Sequence, residues 1–130
     1  MNQRAADTSS EELLPRTKQF ALRVIRLVDS LPRGRAADVI GRQLLRAATS
    51  VGANYRAARR GRSNAEFCAK LGIVEEEADE CIYWIELLVE SELMPHDRLK
   101  SLEDEAHEIL SMTVASIRTA RRSDSRKSTR

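Results

Sequence analysis

The sequence predicts an all-α fold, an antiparallel up-down-up-down four-helix bundle, and three observations carry that prediction. Apolar residues recur at spacings of three and four in four separate stretches, which is the period of a helix with one buried face. The breaks between those stretches, at Leu31-Pro32-Arg33-Gly34, Arg60-Gly61-Arg62 and Met94-Pro95, are all short. The 130 residues include only 5 Gly and 3 Pro, too few for a sheet protein rich in turns. Four amphipathic helices on short connections bury their stripes by packing antiparallel. The length suits a single domain, with residues 1–12 a flexible N-terminal arm, 13–120 the bundle and 121–130 a basic disordered tail.

The first helix is expected to open near Pro15, a residue suited to a first turn, and to carry Phe20, Val24, Leu27, Val28 and Leu31 on one stripe. Pro32 and Gly34 end it. The second helix presents Ile40, Leu44, Ala47, Val51, Tyr55 and Ala58 to the core. A third face of the same helix holds Gly41, Ala48 and Gly52 in line. Small residues in line admit a second backbone, either that of a neighbouring helix or that of another subunit at an oligomer interface. Ser63 and Glu66 have the spacing of a capping box, which fixes the start of the third helix. That helix runs through Phe67, Leu71, Val74, Ala78, Cys81, Ile85 and Leu88 to Met94-Pro95. Ile73, Trp84 and Leu87 form a ridge outside its core stripe, and an aromatic among aliphatics there predicts a subunit contact. The fourth helix carries Leu99, Leu102, Ala106, Ile109, Thr113, Ile117 and Ala120.

No apolar run approaches the roughly 18 to 20 residues that span a bilayer, and the polar N-terminus lacks a secretory apolar segment, so the expected location is the cytoplasm, with no membrane partner. Cys68 and Cys81 lie on one predicted helix with backbones about 20 Å apart, too far for a disulfide within the chain. A helical bundle with many carboxylates raises the possibility of a di-metal site, which needs inward Glu and two Glu-x-x-His pairs. The nearest match, Asp104-x-x-His107, occurs once and points away from the core stripe. The run Glu75-Glu76-Glu77-Ala78-Asp79-Glu80 fans around its helix without companion His or Cys. No nucleophile has a base near it in sequence. The expectation is therefore a protein without catalytic residues, metal or cofactor.

The formal net charge of +2 hides a strong segregation. Residues 35–62 carry seven Arg against Asp38, residues 63–94 nine acids against Lys70, and residues 121–130 five basic residues against Asp124. Arg42, Arg46, Arg56 and Arg60 share one face of the second helix about 28 Å long, and Arg59 and Arg62 extend it into the turn. Guanidinium groups on a rigid helix fork onto phosphates, which makes RNA or DNA the expected partner and the basic tail its auxiliary. The alternative is that these arginines pair with the acidic third helix, in the same molecule or in the next subunit.

Residues 45–67, LRAATSVGANYRAARRGRSNAEF, resemble the pattern LRRAAxSIxxNIAEGxGRxSxxEF of the four-helix-bundle family that includes proteins encoded in intervening sequences of bacterial 23S rRNA genes. Arg46, Ala47, Ala48, Ser50, Asn54, Arg62, Ser63, Glu66 and Phe67 fit as they stand, and Glu80 matches a later family carboxylate. Ala57-Ala58 replaces the usual Glu-Gly, and Gly52 stands where Pro is frequent. The resemblance implies a homopentameric ring with a positive central region. It also implies likeness to accessory proteins of diversity-generating retroelements, and so a reverse transcriptase as a second kind of partner. Asn54, near the edge of the core stripe, is expected to be a structural hydrogen-bonding residue.

Overall fold

In the computed structural model, which describes residues 2–128 and the side-chain surroundings of residues 12–126, four helices follow one another: α1 (Asn2–Asp29), α2 (Arg35–Arg59), α3 (Asn64–Glu90) and α4 (His96–Ser128). Each packs against its neighbours in chain order, and α4 closes against α1, which is the up-down-up-down arrangement. The α2–α3 contact is the most extensive. The expected stripes supply the core. Phe20 and Val24 of α1, Leu44, Val51 and Tyr55 of α2, Leu71, Val74 and Ile85 of α3, and Leu99 and Ile109 of α4 are all buried.

Two boundaries differ from the sequence reading. Pro15 lies inside α1 rather than at its start. The reason is a buried stripe that begins a turn earlier, since Leu13 and Thr17 join Phe20 and Val24 in the interior. The backbone is already helical at Asn2, where a flexible arm over 1–12 was expected, and the side-chain surroundings of residues 1–11 lie outside the described residues. At the other end, α4 continues to Ser128, whereas a disordered tail was expected from residue 121. Nothing in residues 121–128 breaks a helix, for they contain neither Gly nor Pro. Packing nevertheless stops at Ala120, and residues 121–126 are exposed.

The helix ends explain the turns. Gly34 caps α2 with φ 153° and ψ 160°, a conformation almost confined to glycine. Ser63 Oγ accepts from the Glu66 amide at 3.1 Å, as the capping box requires. The reciprocal bond is displaced by one residue, because Glu66 Oε2 accepts from the amide of Arg62 at 2.7 Å instead of that of Ser63. Glu92, just past α3, has φ 63°, and its left-handed conformation ends the helix without a glycine. Across the closing α1–α4 seam, Arg16 forks onto Glu105, with Nε to Oε2 at 3.0 Å and Nη2 to Oε1 at 2.6 Å. Among the described residues, no helix is long and apolar enough to cross a membrane.

Candidate nucleic-acid interface

The helix that carries the basic residues is α2, and its three faces have different fates. The face bearing Gly41, Ala48 and Gly52 is the α1–α2 seam. A Cβ added to Gly52 would lie 3.5 Å from the Thr17 carbonyl oxygen, and one added to Gly41 would lie 3.1 Å from Leu31 Cδ1. Close approach of α1 thus occupies the face on which an oligomer interface was expected, with Gly41 and Ala48 buried and Gly52 half-buried within the single chain.

The arginine stripe divides in two. Arg42 Nη2 lies 3.1 Å from Asp38 Oδ2, one turn earlier on the same helix. Arg46 spans to α3, donating from Nη1 to Glu77 Oε2 at 2.9 Å and from Nη2 to Glu80 Oε1 at 2.6 Å. The hydrogen bond from Arg46 is the main reason the Glu80 carboxyl titrates below the ordinary carboxylate range, with burial opposing it. The Glu80 bond likewise holds the Arg46 guanidinium more firmly protonated. Arg46 is thus engaged by the acidic helix of its own chain, the alternative that charge segregation left open, while its side chain stays 49% exposed. The same Glu80 oxygen accepts from Trp84 Nε1 at 3.1 Å, so one carboxylate orients both an arginine and the indole.

Arg56, Arg59, Arg60 and Arg62 stand apart from these pairs. All four are exposed at the end of α2 and in the turn that follows. Among the described residues, no carboxylate forms an ion pair with any of them. The local fold explains why: the one acid nearby in sequence, Glu66, is committed to the Arg62 backbone amide. Topology then adds charge from elsewhere in the chain. Asn64 Nδ2 donates to the Ala120 carbonyl at 2.8 Å, fastening the start of α3 to the last packed turn of α4. Arg118, Arg121 and Arg122 are exposed at that same end of the bundle. The charge is therefore concentrated at a pole as well as along a face. The sequence reading missed Arg118, although antiparallel order alone puts the close of the fourth helix beside the opening of the third.

On α3, Ile73 is 38% exposed and Tyr83 53% exposed, while Trp84 and Leu87 are half-buried. Trp84 packs on the core and meets Tyr83 edge-on, with ring centroids 5.1 Å apart. Part of its apolar surface is thus used within the chain, and Tyr83, absent from the expected ridge, is its most exposed aromatic.

The remaining candidates for chemistry are dispersed. Asp104 accepts from Lys100 at 3.2 Å on the surface of α4. Among the described residues, no group of three His, Cys, Asp or Glu is placed to hold a metal ion. Burial pushes the Cys81 thiol up to about 12, helped by the charges of Glu77 and Glu80, which leaves it almost without thiolate. Asn54 donates to the Ser50 carbonyl and hydroxyl oxygens, both at 2.9 Å, which is a bond within its own helix.

Comparison with known proteins bears on this arrangement. The family model described as 23S rRNA-intervening sequence protein matches residues 11–115. A solved structure of a protein of unknown function from the S23 ribosomal protein family of Bacteroides thetaiotaomicron VPI-5482 is similar at 32% identity and a TM-score of 0.80. The similarity covers 85% of this chain and 98% of that one. No curated protein matches the sequence.

Proposed function

The chain belongs to the 23S rRNA-intervening sequence protein family, and from that membership and the charge distribution we propose that it is a non-enzymatic, oligomeric protein of the cytoplasm that binds nucleic acid through its basic pole. The observation that carries this reading is the contrast along α2. Arg42 and Arg46 have carboxylate partners, whereas Arg56, Arg59, Arg60 and Arg62 are exposed with none among the described residues. Exposed, like-charged guanidinium groups within seven residues of chain repel one another, and phosphate oxygens relieve that repulsion with forked hydrogen bonds. The family takes its name from an RNA context, which agrees with such a ligand. Departure from the family pattern at Ala57-Ala58 also favours it, since the usual acid there is absent.

Self-association rests on a separate observation. Ile73, Tyr83 and Leu87 leave apolar surface open on α3 beside Trp84, with Val39 of α2 57% exposed. In this reading the ridge joins copies of the chain, as a ring of five in the family's manner, and each copy adds a basic pole. A reverse transcriptase or another acidic protein would be the partner if the pole binds protein instead. A gel shift with structured RNA and DNA at low salt tests the reading. The expected result is a shift that disappears when Arg56, Arg59, Arg60 and Arg62 are all reversed to Glu. Absence of any shift with the wild-type protein would overturn it.

A further inference from the structure

Resting on the nucleic-acid reading above, we infer that the end of α4 is a second wall of the basic pole, and that the two walls together grip the phosphate backbone of a duplex rather than the bases of a single strand. The placement comes from the bond between Asn64 and the Ala120 carbonyl, 2.8 Å long, which holds the last packed turn of α4 against the start of α3. The position of this segment agrees, because the Cys68 thiol in the second turn of α3, raised chiefly by burial, also feels the opposing charges of Arg121 and Asp124.

Arg118 and Arg122 are one helical turn apart, about 6 Å along the axis, and Arg121 lies about 100° around the helix from Arg122. Ile117 and Ala120 take the buried side of the same turns, so these arginines turn away from the core. All three are exposed, and no carboxylate among the described residues forms an ion pair with them. The first wall, Arg59 to Arg62, comes from the α2–α3 turn. Two arginine-bearing elements from separate helices suit two phosphate strands.

The aromatic inventory decides between duplex and single strand. Proteins that hold single strands stack bases on exposed aromatic side chains. Of the five aromatics here, Phe20 and Tyr55 are buried and Phe67 is half-buried. Tyr83 and Trp84 lie about 30 Å farther along α3 from Asn64. The pole therefore offers exposed guanidinium groups and no exposed aromatic among the described residues, its one nearby ring, Phe67, being packed against the core, which is the chemistry of backbone recognition. Residues 121–128 of α4 also contain no apolar residue, so this basic end of the helix has no face to insert into a lipid surface. Arg118, Arg121 and Arg122 fall beyond the family match at residues 11–115.

Fluorescence anisotropy of the full chain with a labelled duplex and with one of its single strands, across about 50 to 200 mM salt, tests the inference. The variants are R118E/R121E/R122E and the milder R118A/R121A/R122A, with circular dichroism to verify the helical fold of each. The expected result is tighter binding of duplex than of single strand by wild type. Losing three phosphate contacts at a slope of about −0.9 each reduces the affinity drop over that salt range by roughly 40-fold in the Ala variant. If wild type binds but both α4 variants keep its duplex affinity and salt slope, the second wall is wrong while the function stands. If wild type prefers single strand, duplex recognition is wrong. If wild type binds neither, the functional reading fails and this inference fails with it.

Discussion

Replacing Arg46 by Met keeps the aliphatic stem of the side chain and removes its charge, so it isolates what the guanidinium does. In the native chain that group makes bonds of 2.9 Å to Glu77 and 2.6 Å to Glu80. The arginine side chain is 49% exposed and the two carboxylates 15% and 32% exposed. An exposed pair contributes about 0.2–1 kcal/mol, and a hydrogen bond to a charged group in a drier setting contributes more. Half-exposure of the arginine discounts the upper value, and the variant also leaves two like charges one turn apart on α3. The expected loss is about 1–2 kcal/mol, or roughly 4–7 °C in thermal midpoint at fixed protein concentration. The pH dependence follows from the depressed Glu80 carboxyl. Its stabilising contribution is complete above the unfolded glutamate pKa of about 4.3 and is lost as pH falls through the lower folded value. The gap between wild type and R46M therefore narrows in acid. R42M serves as the comparison, since Arg42 and Asp38 are 79% and 58% exposed and their pair contributes little. Calorimetry at neutral and acidic pH reads both quantities. Equal midpoints for R46M and R42M, or a gap that widens in acid, would refute the reasoning.

Three further outcomes are expected. Gly52→Ala adds a Cβ at ordinary contact distance from Thr17 while removing the helix penalty of glycine, so chemical denaturation should show a gain approaching 1 kcal/mol; Gly52→Leu should lose stability as its branches meet the α1 backbone. Glu92→Gly relieves a left-handed conformation that costs an ordinary residue about 1 kcal/mol, and a higher denaturation midpoint checks it; an unchanged or lower midpoint contradicts the account of that helix end. Tyr83→Glu with Leu87→Glu should lower the mass measured by light scattering without loss of helix content, and an unchanged mass would remove the α3 ridge from the interface.

Most of the fold was legible because helix periodicity is a local signal. The stripes from Phe20 to Val24, Leu44 to Ala58 and Leu99 to Ala120 needed only spacing to be found, and Pro32, Gly34 and Ser63 marked the turns. Helix ends were harder. Pro15 suggested a first turn, yet burial of Leu13 and Thr17 carries the packed stripe of α1 past it. The α4 end lacked apolar residues and so read as disorder, although helical backbone needs no packing where no residue breaks it. The site was less legible because sequence gives the face of a charge but not its partner. Arg46 and Arg56 share that face, and only the packing of α3 on α2 brings Glu77 and Glu80 to the first and not to the second. The small-residue stripe shows the same limit, since Gly41 and Gly52 fit a close helix contact whichever helix supplies it.

The central claim is that the pole, and not the full arginine stripe, meets the ligand. It is tested most directly by measuring the slope of log K against log salt for wild type, for R56Q/R59Q/R60Q/R62Q and for R42Q/R46Q with one duplex. The account predicts that the pole variant loses up to about 3.6 from the slope, at about 0.9 for each phosphate contact removed, while the stripe variant keeps the wild-type slope. A full loss of slope in R42Q/R46Q with none in the pole variant would contradict it.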